Sequence, residues 1–302
     1  MRFETAPGEQ AQVDWGVFRY HTSGGQTRSV WAFVLVLSWS RAIYVEFVER
    51  ADVATFLRCH LRAVAHLGGA PRRCLYDNAK VVVLGRDQNG QPVWNTRFLD
   101  FALRLGVDAQ LCRPYRAQTK GRVESGIKYL RHNFWPTARF TDLADLNRQV
   151  TLWCASVADV RVHGTTGVRP VDRLSEERPR LHALPPADTL AVFQREDRVV
   201  GRDGSVAWER SRYGVPWQWA GTTVQVAARE GIVELWAGAE RLVVHARATQ
   251  PGQRFTVPGQ WAGLPLGDRR PRLEPLAVQL PMVDVQRRSL AVYEALAEVG
   301  TR

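Results

Sequence analysis

Apolar and polar positions alternate at the start of the chain and then merge into nearly continuous apolar runs. Residues 10–20 (QAQVDWGVFRY) mix β-branched and aromatic residues with polar ones, while 29–37 (SVWAFVLVL) and 42–48 (AIYVEFV) are almost wholly apolar. These predict three strands. The Gly24-Gly25 turn and the short SWSR link between them suit an antiparallel meander. The period then changes. Across 51–67, Val53, Phe56, Leu57, Leu61 and Val64 recur at helical steps, and Gly68-Gly69-Ala70-Pro71 ends the pattern.

A short strand is predicted at 72–78 (RRCLYDN), a helix at 94–105 stopping at Gly106, and a fifth strand at 107–112 closed by Arg113-Pro114. A third helix covers 122–134, with Pro136 just beyond it. Three antiparallel strands, helix, strand, helix, strand, helix is the order of an α/β, ribonuclease H-like fold. Its mixed five-stranded sheet is flanked by helices, the last two strands parallel to the first. The predicted core spans 1–140, and 141–191 follows as a helix (141–162) and a Pro-, Arg- and Glu-rich linker (163–191). Short strands with glycine turns at 192–248 suggest a small antiparallel β-barrel. The remainder, 249–302, reads as a Pro/Gly-rich tail with a C-terminal helix at 285–299.

Composition narrows the classes. No apolar run approaches the ~18 residues of a membrane span, and the N-terminus MRFETAPGEQAQ lacks a signal-peptide layout, so no membrane partner and a cytoplasmic location are expected. Cys59, Cys74, Cys112 and Cys154 are scattered without zinc-finger spacing and read as buried thiols. The net charge of +11 is lopsided: residues 1–140 hold 20 Lys+Arg against 11 Asp+Glu, and 141–302 hold 21 against 19. The excess on the first half is the footprint of a surface that meets a polyanion.

Three carboxylates carry the candidate chemistry. Asp14 lies mid-strand between Val13 and Trp15, where a charge is costly unless compensated. Asp77 sits where the fourth strand ends, and Glu124 in the first turn of the third helix. In the inferred topology the first and fourth strands are neighbours, and the third helix starts near their ends. Converging carboxylates repel one another. Divalent cations remove that repulsion, and oxygen ligands suit Mg²⁺. A pair of ions serves in-line phosphoryl displacement. Taken singly, each acid has a bland alternative, such as Glu124 favouring a helix N-terminus.

GEQAQVDWG, LYDNAKVVV and PYRAQTKGRVESGIKYLRHNF resemble the three acidic motifs of DDE transposases and retroviral integrases. The closest resemblance is to IstA-type insertion-sequence transposases, and HGTTGVRPVDRLSEERPRLHALP resembles that family's connector. The resemblance covers roughly 1–190, and the following barrel resembles the small DNA-binding barrel of related transposases. It implies 3′-end cleavage and strand transfer of an insertion sequence, catalysed with two Mg²⁺ (or Mn²⁺) ions. Asp14 would bridge them, with Asp77 and Glu124 as further ligands. It also implies DNA as partner, a homo-oligomer on DNA, and an AAA+ helper ATPase (IstB-type). The family carries an N-terminal helix-turn-helix region, whereas this chain starts about a dozen residues before its first catalytic strand, so the expectation is a fragment, a truncated reading frame, or a core supplied with DNA recognition by other means. A non-catalytic DNA-binding remnant is the alternative, and a general nuclease fits the acids but neither connector nor barrel.

Only three lysines occur, Lys80, Lys120 and Lys128, against 38 arginines, and all three lie within four residues of Asp77 or Glu124. Lys128 and Arg131 follow Glu124 by four and seven residues on one helical side. They are expected to contact phosphate, the alternative for Lys128 being an i,i+4 pair with Glu124. Arg113, Arg116, Lys120 and Arg122 form a second basic cluster, and Asn78 and Lys80 flank Asp77; these too are expected DNA contacts.

Overall fold

The computed structural model describes residues 4–22, 24–77, 79–112, 121–229 and 231–264. The chain divides into two units, Met1–Gln260 and Trp261–Arg302. Only 261–264 of the second are described, as a turn in which the Leu264 N–H donates to the Trp261 carbonyl. The tail helix expected at 285–299 lies outside the described residues.

Strands β1 (Gln10–His21), β2 (Thr27–Leu37) and β3 (Ile43–Val48) form the expected antiparallel meander. β4 (Arg73–Tyr76) and β7 (Asp108–Leu111) add in parallel, giving the order β3-β2-β1-β4-β7 with β1 central. Side chains of β2 explain its unbroken apolar run. Phe33, Leu35 and Leu37 enter a core on one face, whereas Val30, Ala32, Val34 and Val36 enter a second core on the other. Both faces are covered, so no polar alternation survives.

Helix α1 (Val53–Leu67) covers the first face. Asp52 caps it by accepting from the Thr55 N–H, and Gly68 ends it with φ 90°. Helix α2 (Thr96–Leu105), capped by Asn95 and closed by Gly106 at φ 76°, packs on the same side. On the second face lie α3 (Gly121–Tyr129), continued by a π-helical turn Leu130–Phe134, and α4 (Leu143–Trp153), continued by a π turn Cys154–Ala158. All four cysteines are buried thiols.

Two sequence expectations need correction. A hairpin of β5 (Val83–Arg86) and β6 (Pro92–Trp94) stands between β4 and α2. Its strands are too short to show a period, and Asp87 shapes the turn between them by accepting from the Asn89 and Gln91 N–H groups. The segment 163–191 is no bare linker. It contains α5 (Pro170–Glu177) and α6 (Ala187–Ala191), and Leu174, Leu181 and Leu190 enter the first core. Glu177 is fully buried, accepting from Gly8 N–H at 2.9 Å and Ser40 N–H at 3.0 Å. Gly8 and Gly69 are needed there: an added Cβ would fall 2.3 Å from the Arg180 carbonyl oxygen and 2.7 Å from that of His182.

Beyond it, β11 (Thr223–Arg229), β12 (Ile232–Ala237) and β13 (Glu240–Ala246) form an antiparallel sheet with β8 (Glu196–Val199). A smaller sheet pairs β9 (Ser205–Trp208) with β10 (Ser211–Gly214). The two-residue β14 (Arg254–Phe255) joins β10 in parallel, so the domain is antiparallel except at that edge. Val206, Tyr213, Val224, Val233 and Leu235 fill its core.

Candidate active site

Strand parity fixes what Asp14 faces. Val13 and Trp15 belong to the α1 side, so Gln12, Asp14 and Gly16 point to the α3 side. Two contacts bear this out. Gln12 Oε1 accepts from the Arg122 and Val123 N–H groups, both at 3.1 Å, and a Cβ on Gly16 would lie 3.2 Å from Ile127 Cγ2. Asp14, half-buried, lies between these two anchor points of α3.

Asp77 directly follows β4. The parallel register pairs Gln10 with Arg73, Ala11 with Cys74 and Gln12 with Leu75. Its last pair therefore lies two residues before both Asp14 and Asp77. Asp77 is exposed, at the point where β4 leaves the sheet.

Helix α3 presents two flanks. Val123 and Ile127, with Leu130 in the π turn beyond, face the sheet. Glu124 and Lys128 lie on the flank toward the outer edge of β1, which β4 no longer covers. Arg131 marks that flank directly, because its Nη2 donates to the Val17 carbonyl at 3.0 Å and its guanidinium sits 4.6 Å over the Phe18 ring. Arg122, Ser125, Gly126 and Tyr129 line the opposite flank, over Val36 and Ile43. Glu124 is thus turned toward the side on which Asp14 and Asp77 stand, exposed in the first turn. Asp14 and Asp77 each stand two residues past the last β1–β4 pair, and Glu124 stands on the helix fastened over the Asp14 face. Among the described residues, no three His, Cys, Asp or Glu side chains stand close enough to hold a metal ion.

The expected DNA contacts divide. Lys80 is exposed in the turn after β4, and Lys128 is exposed on α3. Among the described residues Lys128 and Glu124 form no ion pair. Arg122 is half-buried, its pKa lowered chiefly by burial. Arg131 is exposed but tied to β1 as described. Asn78, Arg113, Arg116 and Lys120 lie outside the described residues. Sequence reading missed Gln12, the residue that fastens the start of α3 to the strand bearing Asp14. Its signal was a second polar residue in an apolar strand, two positions before the acid and hence on its face.

A mixed five-stranded sheet with an acid on its central strand, a second at the end of the next strand and a third on the covering helix defines an integrase-type core. Residues 4–117 match the integrase core domain family, and 184–257 match the C-terminal domain of Mu transposase. The chain is 30% identical over 298 residues to the transposase for insertion sequence element IS21 of Pseudomonas aeruginosa, covering 98% of this chain and 72% of that protein. It is 34% identical over 243 residues to a putative transposase for insertion sequence element IS5376 of Geobacillus stearothermophilus, covering 80% of this chain and 60% of that one. The chain belongs to the IS21-type (IstA-type) family of insertion-sequence transposases. It spans about 60–72% of the length of these two relatives. Among solved structures, the HTLV-2 integrase catalytic core domain in complex with magnesium is similar at 17% identity and a TM-score of 0.39, covering 56% of this chain and 98% of that one.

Proposed function

We propose that this chain carries the catalytic core of a DNA transposase that hydrolyses a phosphodiester at each end of its insertion sequence and then joins the freed 3′-hydroxyl to target DNA. The observation that supports this reading is the β1–β4 register, whose last pair, Gln12 and Leu75, lies two residues before Asp14 and Asp77 on adjacent parallel strands, with α3 fastened over the Asp14 face. Glu124 on the facing flank of that helix supplies the third acid.

The donor set suits a hard divalent cation: carboxylate oxygens from a strand, a strand end and a helix start. Asp14, Asp77 and Glu124 would hold it. Bound there, two Mg²⁺ or Mn²⁺ ions would neutralise the charge that develops on the attacking and leaving oxygens and promote deprotonation of the attacking water or 3′-hydroxyl. The chain's own residues do the rest. Gln12 fixes where α3 begins relative to Asp14, and so where Glu124 can reach. Lys80 and Lys128, both exposed, would contact phosphate oxygens. The family resemblance adds Asn78, Arg113, Arg116, Lys120, Arg122 and Arg131 as further expected contacts. The β domain, 192–248 together with the β14 edge at Arg254–Phe255, would add a further DNA-binding module after the 1–140 core and the 141–191 connector, ahead of the rest of the 249–302 tail. Because two ends must be joined together, the active species is at least a dimer on DNA. It works in the cytoplasm with an AAA+ helper ATPase of the IstB type.

The test is a joining assay with Mg²⁺ and a pre-cleaved duplex bearing the terminal sequence of the chain's own insertion sequence. Wild type is expected to yield joined products and Asp77→Ala to yield none. Equal yields would rule out the catalytic reading.

A further inference from the structure

A second charged site lies on the far flank of α3, away from Glu124. There Arg41, Arg122, Arg161 and His163 line a cleft of about 160 Å³ floored by Val36 and Ile43. The residues come from three separate elements: the β2–β3 turn, the start of α3, and the segment after the π turn that extends α4. Arg173 on α5 adds a fourth guanidinium to their field.

Among the described residues, three carboxylates stand near the cleft. Asp159 accepts from the Ile43 N–H at 3.3 Å, and burial pushes its carboxyl up to about 7 against Arg161, so it offers Arg161 only a partial charge at neutral pH. Glu4 is engaged by Arg173 at 2.9 Å, and both oxygens of Glu177 are taken by backbone N–H groups. Arg41 donates to the Ser38 carbonyl, and Arg161 donates to the Ala158 carbonyl while lying 4.0 Å over the Tyr129 ring. Among the described residues neither arginine is in an ion pair. A carbonyl and an aromatic face orient a guanidinium without neutralising it. The positive field is strong enough to be felt by its members. Burial first, then Arg161, Arg41 and Arg173, pushes His163 down to about 4; burial, then Arg122 and Arg173, pushes Arg41 down to about 10.

Arg41 also stands in a conformation that argues for its side chain. Its φ of 71° is left-handed, a region that glycine or asparagine ordinarily fills in a four-residue hairpin loop. Holding arginine there works against the backbone, and strain of this kind is retained where a side chain is needed. The α3 backbone is not the attraction, since the Arg122 and Val123 N–H groups are already taken by Gln12.

We propose that this cleft binds a backbone phosphate of DNA, through Arg41 and Arg161 with Arg122 beside them, at a site distinct from the carboxylate centre. It rests on the transposase reading only for the identity of the molecule that bears the phosphate. A strand held there crosses the start of α3 from the side opposite Glu124. The helix is then gripped from both flanks, by the scissile strand on one and by a second phosphate contact on the other.

The test measures DNA-duplex affinity of the full chain against salt concentration, in EDTA so that no joining occurs. Arg41→Gly suits the left-handed backbone, so it should keep or raise the melting temperature. It is expected to weaken binding roughly tenfold and to flatten the log K against log salt slope by about one. Arg161→Gln should do the same, and Arg161→Lys should restore the slope. Inorganic phosphate, as the separate arm, should protect wild type from thermal unfolding less in Arg41→Gly. An unchanged salt slope in both Arg41→Gly and Arg161→Gln overturns the proposal. So does protection by inorganic phosphate with no change in DNA binding, which would mark a free-anion site. Failure of metal-dependent joining with the slopes behaving as expected would instead strike the catalytic reading and leave this cleft standing.

Discussion

Gln12 holds α3 to β1 through a single side-chain oxygen that serves two N–H groups. Its amide is nearly fully buried, so Gln12→Ala strands two helix donors as well as losing a contact. The cost should be about 1–3 kcal/mol, read as a lowered denaturant midpoint. Because Gln12 positions Glu124 without touching substrate, joining should fall in kcat while duplex affinity in EDTA stays near wild type. A parallel loss of affinity would show that Gln12 acts on DNA directly. Asp159 gives a different kind of prediction. Its carboxyl is pushed up to about 7 by burial, against the Ile43 N–H and Arg161. Between its ordinary 3.8 and about 7 the folded chain keeps a proton that the unfolded chain has lost. Stability drawn from this group therefore falls as pH rises through that window. His60, pushed down to about 4 by burial, has the opposite sign and loses stability as pH falls from 6.5. Asp159→Asn should raise the melting temperature at pH 8 and leave it unchanged at pH 3.5. A fall at pH 8 would mean that the ionised carboxylate is stabilising. At this scale Asp14 stands out in the sequence as a candidate because a charge inside an apolar strand is anomalous, whereas a glutamine two positions away is not.

At the scale of elements, the main strands and helices followed from hydrophobic period and caps. Asp52, Asn95 and Asp142 each accept from N–H groups at a helix start, and Gly68 and Gly106 end their helices in left-handed geometry. What escaped notice depends on partners remote in sequence. The connector is polar by composition, yet Glu177 reaches the Gly8 and Ser40 N–H groups, 169 and 137 residues away. No local pattern announces a buried carboxylate whose partners are backbone. Glu177→Ala should cost about 3 kcal/mol by leaving two donors buried without an acceptor. Glu177→Gln, which keeps one oxygen, should lose less. Equal stability of Glu177→Ala and wild type would show that the connector is not latched there. The β5–β6 hairpin was hidden for a simpler reason, since three- and four-residue strands carry too few positions to show a period.

Across the whole molecule, 20 basic against 11 acidic residues in 1–140 place the excess charge on the half that carries the acids. β1 is fully buried over Gln10–Val13, and Asp14 and Asp77 follow just past the point where its pairing with β4 ends. Positive charge lies on both flanks of α3, with Lys128 on one and Arg41 and Arg161 on the other. On the proposed function, this charge would draw a polyanion toward Asp14, Asp77 and Glu124. The central claim is that these three carboxylates act as one unit. It is tested most directly by single-turnover joining of a pre-cleaved end in Mg²⁺, with Asp14→Asn, Asp77→Asn, Glu124→Gln and the double Asp77→Asn/Glu124→Gln. Each single substitution should abolish joining by on the order of a thousandfold or more, and the double should lose no more than either single, as for residues that work together. Joining at the wild-type rate by Glu124→Gln, with Asp77→Asn inactive, would contradict the account by showing that the helix does not supply the third acid.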